Sequence, residues 1–297
     1  MSNINYIKKI IIGTANFGNS YGIDKKKITN NQLIRIFEYI KKKKFNYIDT
    51  AKSYGNSEKI LGNSNSPHLK IISKLPKLNK NIQNIEQWIF KNVTDSILKT
   101  KTKKLYAILI HHSDDLISNN GRRIYKCLME LKKKKLVKKI GISAYSTNKV
   151  DIILKRYKLD IIQMPLSVFD RRILKNNWIN KIKKKNIEIH ARSVFLQGLL
   201  LKNSTDTYFN KWKKNFKIWS LFCKKSKVSK DLAALQFVIN NKKIDKVIIG
   251  FNNINELKKN VKNTLSNKKI IFSENLMVND ERLLNPYNWK VGKSPRG

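Results

Sequence analysis

Four polar side chains of different chemistry stand at or near the ends of three short apolar segments. Asp49 ends Phe45-Asn-Tyr-Ile-Asp, Lys74 follows Ile71-Ile-Ser, His111 follows Ala107-Ile-Leu-Ile, and Tyr54 lies in the turn after Asp49. A buried carboxylate is costly unless it is paired, and an ammonium can pair with it. A tyrosine, whose ordinary pKa is near 10, serves as an acid or base at neutral pH only if a nearby cation lowers that pKa. These four residues together could therefore hold and transfer a proton.

The elements that must position these residues follow a regular alternation of strands and helices. Apolar residues at helical spacing, such as Leu33, Phe37 and Ile40, separate short apolar runs that we predict to be strands. The predicted strands are Ile10–Gly13, Phe45–Asp49, Leu69–Ser73, Tyr106–Ile110, Lys139–Ser143, Asp160–Gln163, Ile187–Ala191 and Lys246–Gly250. Eight strands that alternate with helices predict an α/β fold, a parallel eight-stranded (β/α)8 TIM barrel. The ends of its strands meet on one rim, where such barrels carry their chemistry.

Four details of this prediction concern single segments. Residues 1–9 are expected to lead directly into the first strand, and Gly62 is expected to stop the helix that starts at Ser57. Residues 173–184 are predicted to form one helix, and residues 212–223 an additional one. The rival fold, a doubly wound open sheet, needs a phosphate-binding glycine fingerprint after the first strand, and Gly13-Thr-Ala-Asn-Phe-Gly18 lacks that spacing. No linker-like stretch interrupts the chain, so one domain over residues 1–297 is expected.

The charge of the chain is extreme, with 63 Lys and Arg against 20 Asp and Glu, a formal net charge of +43. Such a surface could bind nucleic acid or another polyanion. However, Lys, Asn and Ile are all abundant, which indicates a compositional bias, and Arg, the residue suited to bidentate phosphate contacts, is scarce relative to Lys. The lysine runs Lys41–Lys44, Lys132–Lys135 and Lys183–Lys185 all end predicted helices, where the helix dipole favours cations. They predict a solvated face opposite the chemistry, with docking of an acidic partner as the alternative.

Several classes of protein are disfavoured by the sequence. No apolar run approaches the roughly 20 residues of a membrane span, and the N-terminus lacks the apolar region of a signal peptide. Cys127 and Cys223 are isolated, which suits a reducing compartment, so the expected location is the cytoplasm. Neighbouring residues of a strand point to opposite sides, so either His111 or His112 could be the site residue, and a metal site there is disfavoured because no third ligand has suitable spacing.

The order Asp49, Tyr54, Lys74, His111 resembles the catalytic tetrad of the aldo-keto reductases, and the likeness extends from Gly13 to Trp289. The resemblance implies that Tyr54 donates the proton to a carbonyl oxygen during reduction. Lys74 would lower the pKa of that tyrosine, and Asp49 would hold Lys74 by an ion pair. His111, rather than His112, would orient the substrate oxygen.

The resemblance also implies a nicotinamide cofactor, with NADPH favoured and NADH possible. The residues expected to bind it are Gly13, Thr14, Ser143, Gln163, Ser193, Phe195, Gln197, Gly198, Gly250, Asn252 and Asn260. Ser143 and Gln163 would bind the nicotinamide carboxamide, although Ala144 replaces the asparagine usual after Ser143. The segment from Arg192 to Leu199 would cover the pyrophosphate, Gly250 would help to hold phosphate, and Asn260 would contact adenine. A 2′-phosphate would need a cation, which Lys258 or Lys259 could supply.

The expected substrate is a small carbonyl compound. Phe17, Tyr21 and Phe169 are candidates for an apolar wall around it, although aromatic residues in loops are as often local packing. The segments Gly13-Thr-Ala-Asn-Phe-Gly18 and Arg192-Ser-Val-Phe-Leu-Gln-Gly198 look most like bacterial reductases of sugar and surface-polysaccharide pathways. Two other functions stay open at this point: a non-catalytic barrel that senses nicotinamide, and a polyanion-binding protein.

Overall fold

The computed structural model describes residues 3–20, 22–23, 27–79, 81–203 and 206–290 of the chain. Eight parallel strands form a closed barrel in which each strand pairs with the next and the eighth pairs with the first. The strands are β1 (Ile10–Gly13), β2 (Tyr47–Asp49), β3 (Lys70–Leu75), β4 (Leu105–Ile110), β5 (Val137–Ser143), β6 (Ile161–Pro165), β7 (Glu188–Arg192) and β8 (Lys246–Ile249). The predicted (β/α)8 barrel is therefore confirmed.

Helices connect the strands around the outside of the barrel. They are α1 (Asn3–Lys9), α2 (Ala15–Gly18), α3 (Asn30–Lys42), α4 (Ser57–Asn63), α5 (Ile85–Thr100), α6 (Asp114–Ile117), α7 (Gly121–Lys133), α8 (Thr147–Arg156), α9 (Trp178–Lys183), α10 (Lys213–Lys225), α11 (Lys230–Ile239), α12 (Ile254–Thr264) and α13 (Glu281–Leu284). Short 3-10 helices occupy Arg172–Asn177, Leu196–Leu201, Thr207–Trp212, Glu274–Leu276 and Pro286–Asn288. No helix in the described ranges is both long enough and apolar enough to cross a bilayer.

Alternation along the strands divides the buried residues into two layers. In β1, Ile10 and Ile12 belong to the large cluster that includes the helices, whereas Ile11 belongs to a small cluster of strand residues. That small cluster, which fills the barrel, consists of Ile11, Ile72, Ala107, Leu109, Ile161 and Ile248. The strand residues therefore present one apolar layer to the helices and another to the barrel axis, as the side-chain period of two requires.

A polar cluster lies at the end of the barrel where the strands begin. The rings of Tyr47 and Tyr106 meet edge to face with their centroids 5.1 Å apart. Glu188 forms an ion pair with Lys139, and its Oε2 lies 3.2 Å from Nε2 of His190. Burial raises the pKa of Glu188, but the hydrogen bonds from His190 and Lys139 outweigh it and hold that pKa at about 2.

The predicted lysine runs do fall at the C-terminal ends of α3, α7 and α9. Some of these lysines have structural partners. Lys132 pairs with Asp160 at 2.8 Å, and Lys183 pairs with Asp245 at 2.8 Å. Each of these carboxylates directly precedes a strand, so the two ion pairs tie a helix end to the start of the barrel wall. Docking of an acidic partner to the lysine-rich face opposite the site, which was the alternative role for these runs, stays a prediction.

Three segments differ from the sequence-based expectations. The chain does not lead directly into β1, because residues 3–9 form helix α1. Gly62 does not stop α4; it lies inside the helix, where an added Cβ would come 2.1 Å from the carbonyl oxygen of Lys99. It is therefore needed for the close approach of α4 to α5. Residues 173–184 are not one helix, because Asn176 and Asn177 have left-handed φ values of 48° and 59° and separate two short ones.

Candidate active site

All four residues of the expected tetrad lie on the rim where the strands end. Asp49 is the last residue of β2, Lys74 is the penultimate residue of β3, and His111 directly follows β4. Tyr54 lies in the turn between β2 and α4. Asp49, Tyr54 and His111 line a cavity of about 540 Å³, and Lys74 is buried behind them with 1% of its surface exposed.

A buried ion pair forms the base of the site. Lys74 Nζ lies 2.6 Å from Asp49 Oδ1 and also donates to the carbonyl oxygen of Thr50 at 2.9 Å. Gln163 Nε2 donates to the second carboxylate oxygen of Asp49 at 2.8 Å. Burial lowers the pKa of Lys74, and the charge and hydrogen bond of Asp49 oppose that shift. Asp49 thus stabilises the charged form of a lysine that has almost no contact with water.

Two glycines allow the turn that brings Tyr54 over Lys74. Gly55 has φ +57°, and a Cβ there would lie 2.2 Å from Oδ1 of Asn19. A Cβ on Gly18 would lie 2.3 Å from the carbonyl oxygen of Tyr54. The result is that Lys74 Nζ lies 5.0 Å from the centroid of the Tyr54 ring. An ammonium at this range favours the tyrosinate form and so lowers the pKa of a phenol.

His111 faces Tyr54 across the cavity. The two rings meet edge to face with centroids 6.0 Å apart, and Nδ1 of His111 lies 3.3 Å from Oγ of Ser53. Burial and the charges of Lys74, His112 and Arg192 lower the pKa of His111 well below its ordinary value. The imidazole is therefore neutral at neutral pH and carries a single N–H. His112 does not line the cavity; its ring lies beside that of Tyr287, at 6.2 Å.

Most residues expected to bind the cofactor surround the same cavity. Those that line it are Gly13, Thr14, Ser143, Gln163, Ser193, Phe195, Gln197, Gly198, Gly250 and Asn252. Asn260 is buried on α12 and is not among the lining residues. A Cβ added to Gly198 or Gly250 would have no neighbour within 4 Å, so the wall is bare at two places where a ligand can approach the backbone closely. The size of the cavity, its mixture of polar and apolar lining residues and its bare backbone fit an extended dinucleotide.

The prediction of an apolar substrate wall is wrong for two of the three aromatic residues proposed for it. Phe17 and Phe169 are completely buried and pack against Phe251 and Phe216, respectively, because both belong to the main core. Tyr21 lies outside the described residues.

The walls are instead formed by residues that were not expected to line the substrate site. They include Tyr145, Tyr287 and Trp289, with the guanidinium carbon of Arg192 3.9 Å from the Tyr145 ring centroid. Tyr287 and Trp289 come from a C-terminal segment whose path across the mouth has no local sequence signal. In the described part of the chain, no group of three His, Cys, Asp or Glu side chains could hold a metal ion.

Comparison with known proteins agrees with this geometry. The model of the aldo/keto reductase family matches residues 9–270. The chain is a member of the aldo/keto reductase family. An uncharacterized oxidoreductase of Bacillus subtilis, YqkF, is 26% identical over 239 residues, which are 73% of this chain and 76% of YqkF. The family membership makes this chain a nicotinamide-dependent oxidoreductase that reduces carbonyl groups.

Solved structures of aldo-keto reductases share the fold. The holo form of AKR11C1 from Bacillus halodurans superposes with a TM-score of 0.71 at 19% identity, over 88% of each chain. The glycerol dehydrogenase AKR11B4 from Gluconobacter oxydans superposes with a TM-score of 0.63 at 22% identity, over 88% of this reductase and 92% of AKR11B4. The barrel is therefore the fold of these aldo-keto reductases.

Proposed function

We propose that this reductase protonates the oxygen of a carbonyl substrate with the hydroxyl of Tyr54. What supports the proposal is the position of Lys74, which is held by Asp49 and lies against the Tyr54 ring, buried behind the cavity wall. A bound nicotinamide supplies the hydride. As the carbonyl oxygen gains negative charge, Tyr54 transfers its proton to it and the neighbouring ammonium stabilises the phenolate that remains.

His111 would orient the substrate in this proposal. Its imidazole is neutral, so it can donate one hydrogen bond without competing as an acid with Tyr54. Because His111 and Tyr54 line the same cavity, one carbonyl oxygen can accept from both. Donors placed in advance at the point where charge develops stabilise the transition state more than the ground state.

We propose a hydroxylated, sugar-like aldehyde or ketone as the substrate class. The support is a wall that combines the aromatic rings of Tyr145, Tyr287 and Trp289 with polar side chains. Such rings offer an apolar face and a polar edge, which suit a compact polyol. The structural similarity to a glycerol dehydrogenase is consistent with this choice.

Ser143, Gln163 and the segment from Ser193 to Gly198 would hold the nicotinamide cofactor in this proposal. Gln163 also fixes the carboxylate of Asp49, so one side chain would join the cofactor site to the catalytic ion pair. The segment contains left-handed residues, including Ser193 at φ 61° and Gln197 at φ 53°, which curve its backbone along the cavity.

NADPH, the cofactor that the resemblance favours, would need a cation for its 2′-phosphate. Lys259 is paired with Asp231 at 3.0 Å, and Lys258 lies 6.0 Å from the ring of Tyr39. The carboxylate of Glu256 lines the cavity and accepts from the backbone N–H of Asn252 at 2.8 Å. A carboxylate repels a phosphate but accepts a hydrogen bond from a ribose hydroxyl, so we propose NADH as the preferred cofactor.

Titration of the tryptophan fluorescence with NADH and NADPH tests the cofactor proposal. About 0.3 M salt would screen the general attraction of a very basic protein for anions. Saturable binding of NADH that is tighter than that of NADPH, followed by turnover of hydroxylated aldehydes, supports the proposal. Tighter binding of NADPH would reject the cofactor choice alone, whereas no saturable binding of either dinucleotide would reject the proposed function.

We further propose a cytoplasmic location. Cys127 and Cys223 are both buried as free thiols, which is the usual state in a reducing compartment.

A further inference from the structure

Ser53 precedes Tyr54 in the turn after β2, and its hydroxyl reaches the imidazole of His111. Oγ of Ser53 and Nδ1 of His111 are 3.3 Å apart. The backbone carbonyl of Ser53 accepts from Nδ2 of Asn19 at 3.2 Å, and the backbone N–H of His111 donates to the carbonyl oxygen of Leu75 at 3.3 Å. Both partners of the Ser53–His111 contact are therefore anchored through their backbones.

The identity of the protonated ring nitrogen matters because the His111 imidazole is neutral and has one N–H. If Nδ1 carries the proton, Nε2 is an acceptor and cannot donate to a carbonyl oxygen. If Nδ1 accepts from the Ser53 hydroxyl, the proton must be on Nε2, which is then a donor. A hydrogen bond to one ring nitrogen is the usual means by which a protein selects the tautomer.

We propose that Ser53 is a positioning residue that holds His111 in the Nε2–H tautomer. The Ser53 hydroxyl donates to Nδ1, and Nε2–H is left to donate to the substrate oxygen. Ser53 itself touches neither the substrate nor the reacting atoms. The inference concerns the tautomer of His111, and its catalytic consequence rests on the proposed function of Tyr54 and His111.

The effect of losing the hydroxyl is expected to be moderate. In Ser53→Ala, Nδ1 has lost the donor that fixes the tautomer, so part of the population carries the proton on Nδ1 and is unproductive. We expect kcat/KM for carbonyl reduction to fall about three- to tenfold, equivalent to about 0.6 to 1.4 kcal/mol of transition-state stabilisation. Ser53→Thr keeps a hydroxyl and should restore most of the rate. The Kd of NADH should stay within twofold of that of the original protein in both variants.

Nitrogen NMR of the histidine rings tests the tautomer without any need for turnover. The chain has only 4 histidines, so a His111→Gln spectrum identifies the His111 signals by subtraction. We expect the original protein and Ser53→Thr to show the Nε2–H pattern, and Ser53→Ala to show a mixture with Nδ1–H. Ser66→Ala, which removes a hydroxyl that donates to the backbone of Ser64, is the matched control and should change nothing.

The outcomes separate the two proposals. An Nδ1–H signal for His111 in the original protein, or an unchanged tautomer in Ser53→Ala, would overturn the role of Ser53. A tautomer shift in Ser53→Ala without any loss of kcat/KM would leave the positioning intact but remove His111 as the donor to the substrate. If no carbonyl compound is turned over, the proposed function fails while the NMR result still decides the tautomer.

Discussion

The buried ion pair between Asp49 and Lys74 predicts a large and separable effect on stability and on catalysis. The side chains are 5% and 1% exposed, so Asp49→Asn would leave the Lys74 ammonium without its counter-charge in a dry site. Removing one partner of a buried pair typically costs about 3 to 5 kcal/mol. The lysine can escape by losing its proton, which costs about 4.6 kcal/mol at pH 7 for a reference pKa of about 10.4 and therefore caps the loss.

Thermal unfolding measures the first part of this prediction. A loss of about 3 to 4 kcal/mol should lower the Tm of Asp49→Asn by roughly 6 to 16 °C, since 1 kcal/mol shifts the Tm of somewhat smaller chains by about 2 to 4 °C. The stability of the variant should also depend on pH, because Lys74 loses its proton on folding. In the variant, Lys74 is neutral when folded and charged when unfolded, so the unfolded state binds more protons and stability rises with pH. At pH 9, deprotonation costs only about 1.9 kcal/mol, so the deficit should shrink.

A double variant separates stability from function. Asp49→Asn combined with Lys74→Met contains no buried charge, so it lacks the uncompensated ammonium that destabilises the single variant. We expect its Tm to return to within a few degrees of the original while turnover stays lost, because no ammonium remains beside Tyr54. An unchanged Tm of Asp49→Asn at pH 7, or a double variant as unstable as the single one, would show that the loss of the ion pair is not what destabilises the protein.

Three further predictions follow from single contacts. Gly55→Ala places a Cβ against Asn19 at a left-handed φ that costs about 1 to 2 kcal/mol, so it should lower both the Tm and kcat. Its control, Gly250→Ala, places a Cβ in the open cavity and should weaken cofactor binding without a loss of Tm. The same fall in Tm in both variants would contradict the different roles assigned to the two glycines. Glu188 has a pKa of about 2 in the folded protein, so its contribution, at most about 3 kcal/mol, is present above pH 4.5 and lost as the pH falls towards 2. Glu188→Gln should flatten that part of an acid-unfolding curve, and an unchanged curve would show that the pair is not formed. Asn252→Arg adds a charge-assisted donor beside the cavity and should raise NADPH binding relative to NADH by about tenfold, measured by fluorescence titration; an unchanged ratio would mean that the 2′-phosphate lies elsewhere.

The sequence predicted the barrel because the relevant signals are local. Each strand is a short apolar run, and each helix has its own apolar period, so the alternation was visible without any long-range contact. The expected tetrad residues also come together as predicted, since the ends of parallel strands must share one rim. Alternation only separated the side chains of His111 and His112; the choice of His111 came from the family resemblance, and His111 lines the cavity whereas His112 does not.

The predictions that were wrong, and the contact that was not predicted, depend on long-range packing, which the local sequence pattern does not encode. Gly62 resembles a helix stop, yet it serves a close contact with a residue 37 positions away, Lys99. Phe17 and Phe169 are in the core. An aromatic residue after a strand can turn either inwards or towards the cavity, and its position in the sequence does not determine which. The contact of Ser53 with His111 depends on the return of the turn across the barrel mouth, which no spacing rule specifies.

Tyr54→Phe is the decisive variant for the proposed role of Tyr54 as the proton donor. The substitution removes the hydroxyl but leaves the ring over Lys74. General acid catalysis typically contributes about 10² to 10⁴ in rate. The measurement is the single-turnover rate of carbonyl reduction with saturating cofactor, together with the Kd of NADH. We expect a rate loss of at least about a hundredfold and a Kd for NADH within twofold of that of the original protein. A rate within tenfold of the original at unchanged Kd would contradict it.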